Sequence, residues 1–331
     1  MYHVVCSTDN NYAPYCGTMI CSLLENNKYD FNIHIIFDNL SDENKTKLKN
    51  LIISYNSLCT FHKINIDLNT KQVEGSRALP NTTYYRLLLS SLMPNDIHKV
   101  LYLDCDIIIL QDISYLYTIN LLEYSVAAIA DLKCMPLNGE HRNNMSIPYN
   151  ETYFNAGIML INLDYWRNNN IEKQLLNIIN SKPLFFHDQD ALNYVLKGTW
   201  YMLPPQACYL NLCPIELLYF KTKNDLYAYL NDIKIIHYIS NIKPWHDILM
   251  YPNRKFFMNY IKKTPWGKDL KKVPLKCKFK FYKRIINIRL NNIYALSPAI
   301  IRIFCDTLLF LLSIISLGKI NYLKKKKHFT I

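Results

Sequence analysis

Two carboxylates stand two residues apart inside an apolar run, where Lys99 to Leu110 reads KVLYLDCDIIIL. An ionised carboxylate taken out of water costs several kcal/mol or more unless a cation or hydrogen bonds meet it, so Asp104 and Asp106 need a partner. Alternate residues of a strand share a face. The pattern therefore predicts that both Asp side chains project together, with Cys105 on the opposite face. Two adjacent oxygen donors suit a hard divalent cation such as Mg²⁺ or Mn²⁺. The competing reading is a strand that has ended, with both Asp residues in a solvated turn. The apolar IIIL that follows, without Gly, Pro or Asn, weighs against it.

Two further segments carry groups of the same kind. In IIHYISNIKPWH, His237 closes an apolar run and offers a nitrogen ligand, and Lys243 follows six residues later as a point charge suited to phosphate. The plainer alternatives are a hydrogen-bonded core histidine and a solvated loop lysine. HDQDALN supplies Asp188, Gln189 and Asp190. Acids at a helix N-terminus are favoured by the macrodipole, which accounts for one of the two Asp residues and leaves the amide between them unexplained.

The elements that must position these groups alternate between short β-branched runs and helical periodicity, the pattern of an α/β fold with a mostly parallel sheet. HVVCS, FNIHIIF, CTFHKINI, KVLYL, VAAIAD, GIMLINL and IKIIHYIS read as strands. Helices are predicted near Gly17 to Leu24, from Ser41 to Ile53 with a Ser cap and acids in the first turn, from Thr83 to Leu92, from about Tyr165, and from Asp188 to Leu196. Ligands of open α/β sheets sit beyond the carboxyl ends of the strands. Asp9, Asp104, Asn155 and His237 all follow or end a predicted strand, so one shared site is expected. There is no G-x-G-x-x-G after the first strand and no G-x-x-x-x-G-K-[ST], which leaves phosphate neutralisation to a metal and side chains.

The chain has 331 residues, half of them hydrophobic, enough for a large core. Its ten cysteines contain no C-x-x-C pair and read as small core residues of a reducing compartment rather than a zinc site. The formal charge of +12 is unevenly spread. Residues 251–331 hold 19 Lys and Arg against 2 acids, or +17, which leaves −5 for the rest. A nucleic-acid partner is not expected, because the excess lies away from the candidate site.

Read together, TDNNYA, TTYYRLLL, KVLYLDCDIII, YFNAGIMLINLDYWR, HDQDALN and HYISNIKPWH resemble, in this order, the retaining glycosyltransferases of family 8, which include glycogenin and the bacterial lipopolysaccharide galactosyl- and glucosyltransferases. The likeness covers roughly residues 1–266. It implies a GT-A type, Rossmann-like catalytic domain, a UDP-sugar donor, Mn²⁺ or Mg²⁺, and hexose transfer with retention. The acceptor it implies is a saccharide, either a cell-surface glycan or a lipid-linked core. By the same likeness Asp104, Asp106 and His237 are metal ligands, and Ser7, Asp9, Asn11 and Tyr12 form the uridine site. Arg86, Asn155, Asp188 and Gln189 hold the donor sugar, and Lys243 a phosphate. Ser240 stands where the family commonly has Gly, and Phe186 lies on the acceptor side without a hydroxyl. An amide is a poor nucleophile, so Gln189 beneath the anomeric carbon favours front-face substitution, with Asp190 as the alternative nucleophile. The other functional readings are a glycogenin-like or protein-directed glucosyltransferase and a nucleotide-sugar-binding protein without turnover.

Residues 267–331 change character, from KDLKKVPLKCKFKFYKR to an apolar stretch closed by KKKK. Ile300 to Leu317 would span about 27 Å as a helix, interrupted by Arg302 and Asp306. The expectation is an amphipathic helix lying on an anionic membrane surface; packing on the catalytic domain and a true span are the alternatives. The N-terminal MYHVVCSTDNNY lacks the basic flank and long apolar core of a signal peptide. A cytoplasmic enzyme, peripheral on the inner face of the membrane, is expected.

Overall fold

A computed structural model describes residues 1–65, 80–131, 152–210, 232–239, 243–246, 251 and 253–268. They belong to one compact unit, residues 1–213 and 229–273. Ser240 lies outside the described residues, as do residues 269–331 and the membrane-docking helix expected there.

Seven strands form the main sheet, in the order β3-β2-β1-β4-β7-β6-β8. They are β1 (Tyr2–Ser7), β2 (Phe31–Phe37), β3 (Leu58–Lys63), β4 (Lys99–Leu103), β6 (Val126–Ala130), β7 (Phe154–Asn162) and β8 (Trp200–Met202). Every neighbouring pair is parallel except those made by β7, which runs against β4 and β6. Central strands buried on both faces read as continuous apolar runs. Val4, Val5, Ile33, Ile35, Leu101, Leu103, Met159 and Ile161 are accordingly fully buried. A second, three-stranded sheet has the order β5-β10-β9, from β5 (Ile107–Ile109), β10 (Ile235–His237) and β9 (Tyr209–Leu210).

The helices are α1 (Ala13–Asn26), α2 (Asp42–Ile53), α3 (Leu89–Leu92), α4 (Leu163–Asn168), α5 (Ile171–Ser181), α6 (His187–Val195) and α7 (Arg254–Ile261). The predicted cap of α2 is present: Ser41 Oγ accepts from Asn44 N at 3.2 Å, with Asp42 and Glu43 in the first turn. α1 starts four residues earlier than its sequence suggested, because Pro14 suits a first helical turn and the Asp9 carbonyl accepts from Ala13 N. The predicted helix from Thr83 is instead a 3₁₀ helix over Asn81–Leu88 that passes into α3. Residues 84 to 88 are all buried, so this segment has no solvent face and packs as a tight connector. Among the described residues, no helix is long and apolar enough to cross a membrane.

Away from the site, three histidines cross β1, β2 and β3. His3 Nδ1 lies 3.0 Å from His34 Nε2, and His34 Nδ1 lies 2.9 Å from His62 Nε2. Burial, then His62 and His3, depress the pKa of His34 to about 3.

Candidate active site

The run containing the two carboxylates is not one strand. β4 stops at Leu103, and β5 starts at Ile107 in the other sheet, so Asp104 and Asp106 stand in the crossing. Backbone bonds fix the two ends to different partners: Asp104 N donates to the Gly157 carbonyl of β7 at 2.9 Å, and the Asp106 carbonyl accepts from Tyr238 N, just after β10, at 3.0 Å. Strand alternation therefore does not bring the two side chains together; the turn does. The solvated-turn alternative fails as well, since the side chains are only 22% and 13% exposed. The register His237↔Ile107 then sets His237 beside them. One ligand atom from each of Asp104, Asp106 and His237 lies within 4.8 Å of the others.

A cavity of about 310 Å³ opens over this trio, lined among others by Arg86, Asp131, Asn155, Gly157, Asp188 and Gln189. Asn155 does not follow a strand, as the sequence suggested, but sits at the start of β7. Because β7 is antiparallel, its beginning shares an edge with the carboxyl ends of β1 and β4. That edge, where the chain departs to β2 on one side of β1 and to β4 on the other, is the topological switch point.

Arg86 braces the cavity. It donates to Asp104 Oδ1 at 2.7 Å, the Ala156 carbonyl at 2.6 Å and the Thr83 carbonyl at 3.1 Å. Its Nε lies 3.0 Å from Asp188 Oδ2, and its guanidinium covers the Tyr102 ring at 4.6 Å. Burial pushes the Asp188 carboxyl up to about 6, Arg86 notwithstanding. The arginine is shared with Asp104, whose charge adds to the upward push. For Asp106, burial pushes the same way, but Lys243 and His237 hold it well below the usual carboxylate range.

Gln189 is pinned at both ends of its amide: Oε1 accepts from Ala156 N at 3.0 Å and Nε2 donates to Asp131 Oδ2 at 3.2 Å. Asp131 also accepts from Asn155 Nδ2 at 3.0 Å. Asp190 does not line the cavity. It is fully buried; Oδ1 accepts from the Tyr153 hydroxyl at 2.8 Å, and Oδ2 from Phe185 N and Phe186 N at 2.9 and 2.8 Å. Its carboxylate shapes the turn ahead of α6.

Ser7, Asp9, Asn11 and Tyr12 lie at the end of β1 and the entry to α1, beside the metal turn rather than in the cavity wall. Cys105 Sγ donates to the Ser7 carbonyl at 3.1 Å, and Asp9 Oδ1 accepts from Tyr12 N at 2.8 Å. Asn11 is exposed, and the Tyr12 ring is 37% exposed and meets Trp245 edge to face at 6.0 Å. Trp245 stacks flat on Tyr15 at 3.6 Å, and Lys243, on the same short segment, contacts Asp106.

Of the cavity residues that were not singled out in the sequence, three bear on the site: Gly157, Asp131 and His187. A Cβ at Gly157 would stand 2.8 Å from both Asp104 Oδ2 and His237 Nδ1 and would collide with the imidazole ring. Its signal was a glycine inside a strand, which marks close approach, in a chain with only seven glycines. Asp131 ends a predicted strand at the same edge as Asp104. His187 has φ of +52°, the left-handed region, and its Nδ1 lies 3.0 Å from the Tyr84 hydroxyl; no local pattern announced it.

The arrangement fits a divalent cation. Four carboxylates, Asp104, Asp106, Asp131 and Asp188, face two cations, Arg86 and Lys243, and His237 Nδ1 is buried without a hydrogen-bond partner. Gly157 keeps open the space between His237 Nδ1 and Asp104 Oδ2 that any side chain would fill.

The family model described as Glycosyl transferase family 8 matches residues 3–249. General stress protein A of Bacillus subtilis is 31% identical over 280 residues, covering 80% of this chain and 94% of that one. A lipopolysaccharide 1,2-glucosyltransferase of Escherichia coli is 30% identical over 273 residues, covering 80% and 79%. The crystal structure of the galactosyltransferase LgtC with donor and acceptor sugar analogues shares the fold, with a TM-score of 0.67 at 22% identity over 84% of this chain and 99% of that one.

Proposed function

The chain belongs to glycosyltransferase family 8, and from that premise we propose that it moves a glucosyl or galactosyl group from a UDP-sugar to a lipopolysaccharide-type saccharide acceptor, with retention. The observation that carries this reading is the meeting of Asp104, Asp106 and His237, within 4.8 Å of one another, beneath a cavity that also holds the pinned amide of Gln189.

Asp104, Asp106 and His237 would hold Mn²⁺ or Mg²⁺, whose chemistry is to stabilise the negative charge that develops on the departing diphosphate. Lys243 adds a mobile positive charge at the same edge. The exposed Tyr12 ring offers a stacking face to the uracil, with Ser7, Asp9 and Asn11 around the ribose. Asn155 and Asp188 line the donor-sugar space, and Arg86 keeps Asp104 and Asp188 at fixed positions. During transfer the bond from the anomeric carbon to the phosphate oxygen breaks and the bond to the acceptor oxygen forms on the same face. The acceptor proton goes to the departing phosphate oxygen. Gln189 is too firmly hydrogen-bonded, and too weak a nucleophile, to form a covalent intermediate, and Asp190 is enclosed by its three donors. Front-face substitution is the course these positions favour.

The test is ¹H NMR of the first-formed product from UDP-glucose and UDP-galactose with a saccharide acceptor. An α linkage is expected; a β linkage overturns the assignment. In the same reading residues 1–266 are the catalytic part, and residues 267–331, with a net charge of +13 beside an apolar run, dock the enzyme on anionic lipid at the inner face of the membrane. Truncation after Trp266 is then expected to retain UDP-sugar hydrolysis and to abolish co-flotation with anionic vesicles, whereas flotation that survives truncation removes the tail's role.

A further inference from the structure

The two organic cations at the metal turn are attached very differently. Arg86 is built in: its donors reach Asp104, the Ala156 and Thr83 carbonyls and Asp188, and its plane lies on Tyr102. Removing it would strand several buried acceptors at once. Among the described residues, Lys243 has one ion pair, to Asp106 Oδ2, and one further ammonium bond, to the Tyr238 carbonyl at 2.6 Å. It sits on a flexible stem, and the segment that carries it is anchored elsewhere, by Trp245 stacked on Tyr15 at 3.6 Å and an interplanar angle of 9°. The ammonium can therefore leave Asp106 while its segment stays seated. It also occupies an oxygen of a residue that the cation site needs: Asp106 Oδ1 faces His237 Nε2 at 3.1 Å while Oδ2 holds the lysine.

We propose that Lys243 is a resident counter-cation that a divalent ion must displace from Asp106, and that the diphosphate of the nucleotide gives the displaced ammonium a new partner. Metal and nucleotide then bind with positive coupling that passes through one side chain. Coulomb repulsion between an ammonium and a divalent ion on the same carboxylate weakens metal binding when no anion is present. An anion that draws the ammonium away relieves it. Because binding coupling is reciprocal, the metal raises the affinity for nucleotide by the same factor as the nucleotide raises the affinity for metal.

This inference rests on the metal role of Asp104, Asp106 and His237, and the experiment separates the two. Mn²⁺ is titrated into the full-length protein, with free Mn²⁺ followed by electron paramagnetic resonance, in the absence and presence of UDP. Lys243→Met is expected to tighten Mn²⁺ binding about tenfold without UDP, and to shrink the strengthening caused by UDP by about the same factor. Unchanged or weaker Mn²⁺ binding by Lys243→Met without UDP overturns the exchange. Lys243→Gln, checked by its melting curve and circular dichroism, gives the same readout with a polar side chain if the Met variant folds poorly. Asp106→Asn is expected to lose Mn²⁺ binding in both conditions. If Asp106→Asn binds Mn²⁺ as the unaltered chain does, the metal site itself is wrong, whatever Lys243 does.

Discussion

The metal turn and the histidine row are both sets of buried titratable side chains, and they meet burial in opposite ways. At the turn, Arg86 and Lys243 face Asp104 and Asp106, and charge is kept at depth. In the row, the titratable groups against His34 among the described residues are the imidazoles of His62 and His3, and burial drives it to the neutral form, with a pKa of about 3. Buried charge is costly unless paired, so a fold without a task for charge discharges the group. Retained charge is therefore the mark of the working region, and the neutral row marks a structural one.

Gly157 gives the largest expected break in that contrast. Gly157→Ala places a methyl against His237 and Asp104 Oδ2 and is expected to lower transfer by about 10²-fold, as displacement of a reacting group by an ångström does. The measurement is kcat with saturating Mn²⁺ beside a melting curve. A variant that melts normally yet transfers normally would show that the trio tolerates movement and is not a built site.

The pH dependence of stability sharpens the comparison, because the two regions pull in opposite directions. His34 has a folded pKa below its unfolded one, so the stability it contributes is present above about pH 6.5 and falls as the pH drops. The loss between pH 7 and pH 5 is about 2 kcal/mol. Asp188 has a folded pKa raised to about 6, so its effect is the reverse: stability declines as pH rises from the ordinary carboxylate value through 6. The two windows overlap between pH 4 and 6, and the intact protein shows their difference. In urea melts, His34→Asn is expected to leave a stability that falls with pH across this range, and Asp188→Asn a stability that rises more steeply. Equal slopes in all three proteins would contradict the contrast.

The smallest effect falls at the edge of the site. Tyr84→Phe removes the hydroxyl beside His187 Nδ1, a hydrogen bond worth about 1 kcal/mol. A drop of several-fold in kcat with little change in melting would place His187 among the residues that present Asp188 and Gln189. A change in melting alone would assign it to the fold.

Much of this was legible locally. FNIHIIF marked β2 with the bounds it has, and Ser41 ahead of two acids marked the start of α2, because caps and apolar runs are properties of neighbouring residues. Asp104, Asp106 and His237 were legible because polar groups in apolar runs demand partners. What escaped depends on pairing between distant segments. That KVLYL and IIIL join different sheets is decided by β7 and β10, more than fifty and more than one hundred residues away. The antiparallel course of β7, which moves Asn155 to the strand's beginning, is likewise a matter of register, and the roles of Gly157 and Asp190 follow from what is packed against them. HDQD offered two acids of equal appearance, and their packed partners distinguish them: the Tyr153 hydroxyl and the amides of Phe185 and Phe186 hold Asp190, whereas Arg86 holds Asp188.

The crossing between β4 and β5 makes the cavity a joint. One carboxylate is carried by the seven-stranded sheet, the other carboxylate and the imidazole by the three-stranded one, so the width of the jaws is set by how the smaller sheet seats on the larger. A cation held in those jaws works as a rivet through two plates, and its affinity gauges their alignment. Through its pairing with β10, strand β9 can thus tune the grip by the angle at which the plates meet.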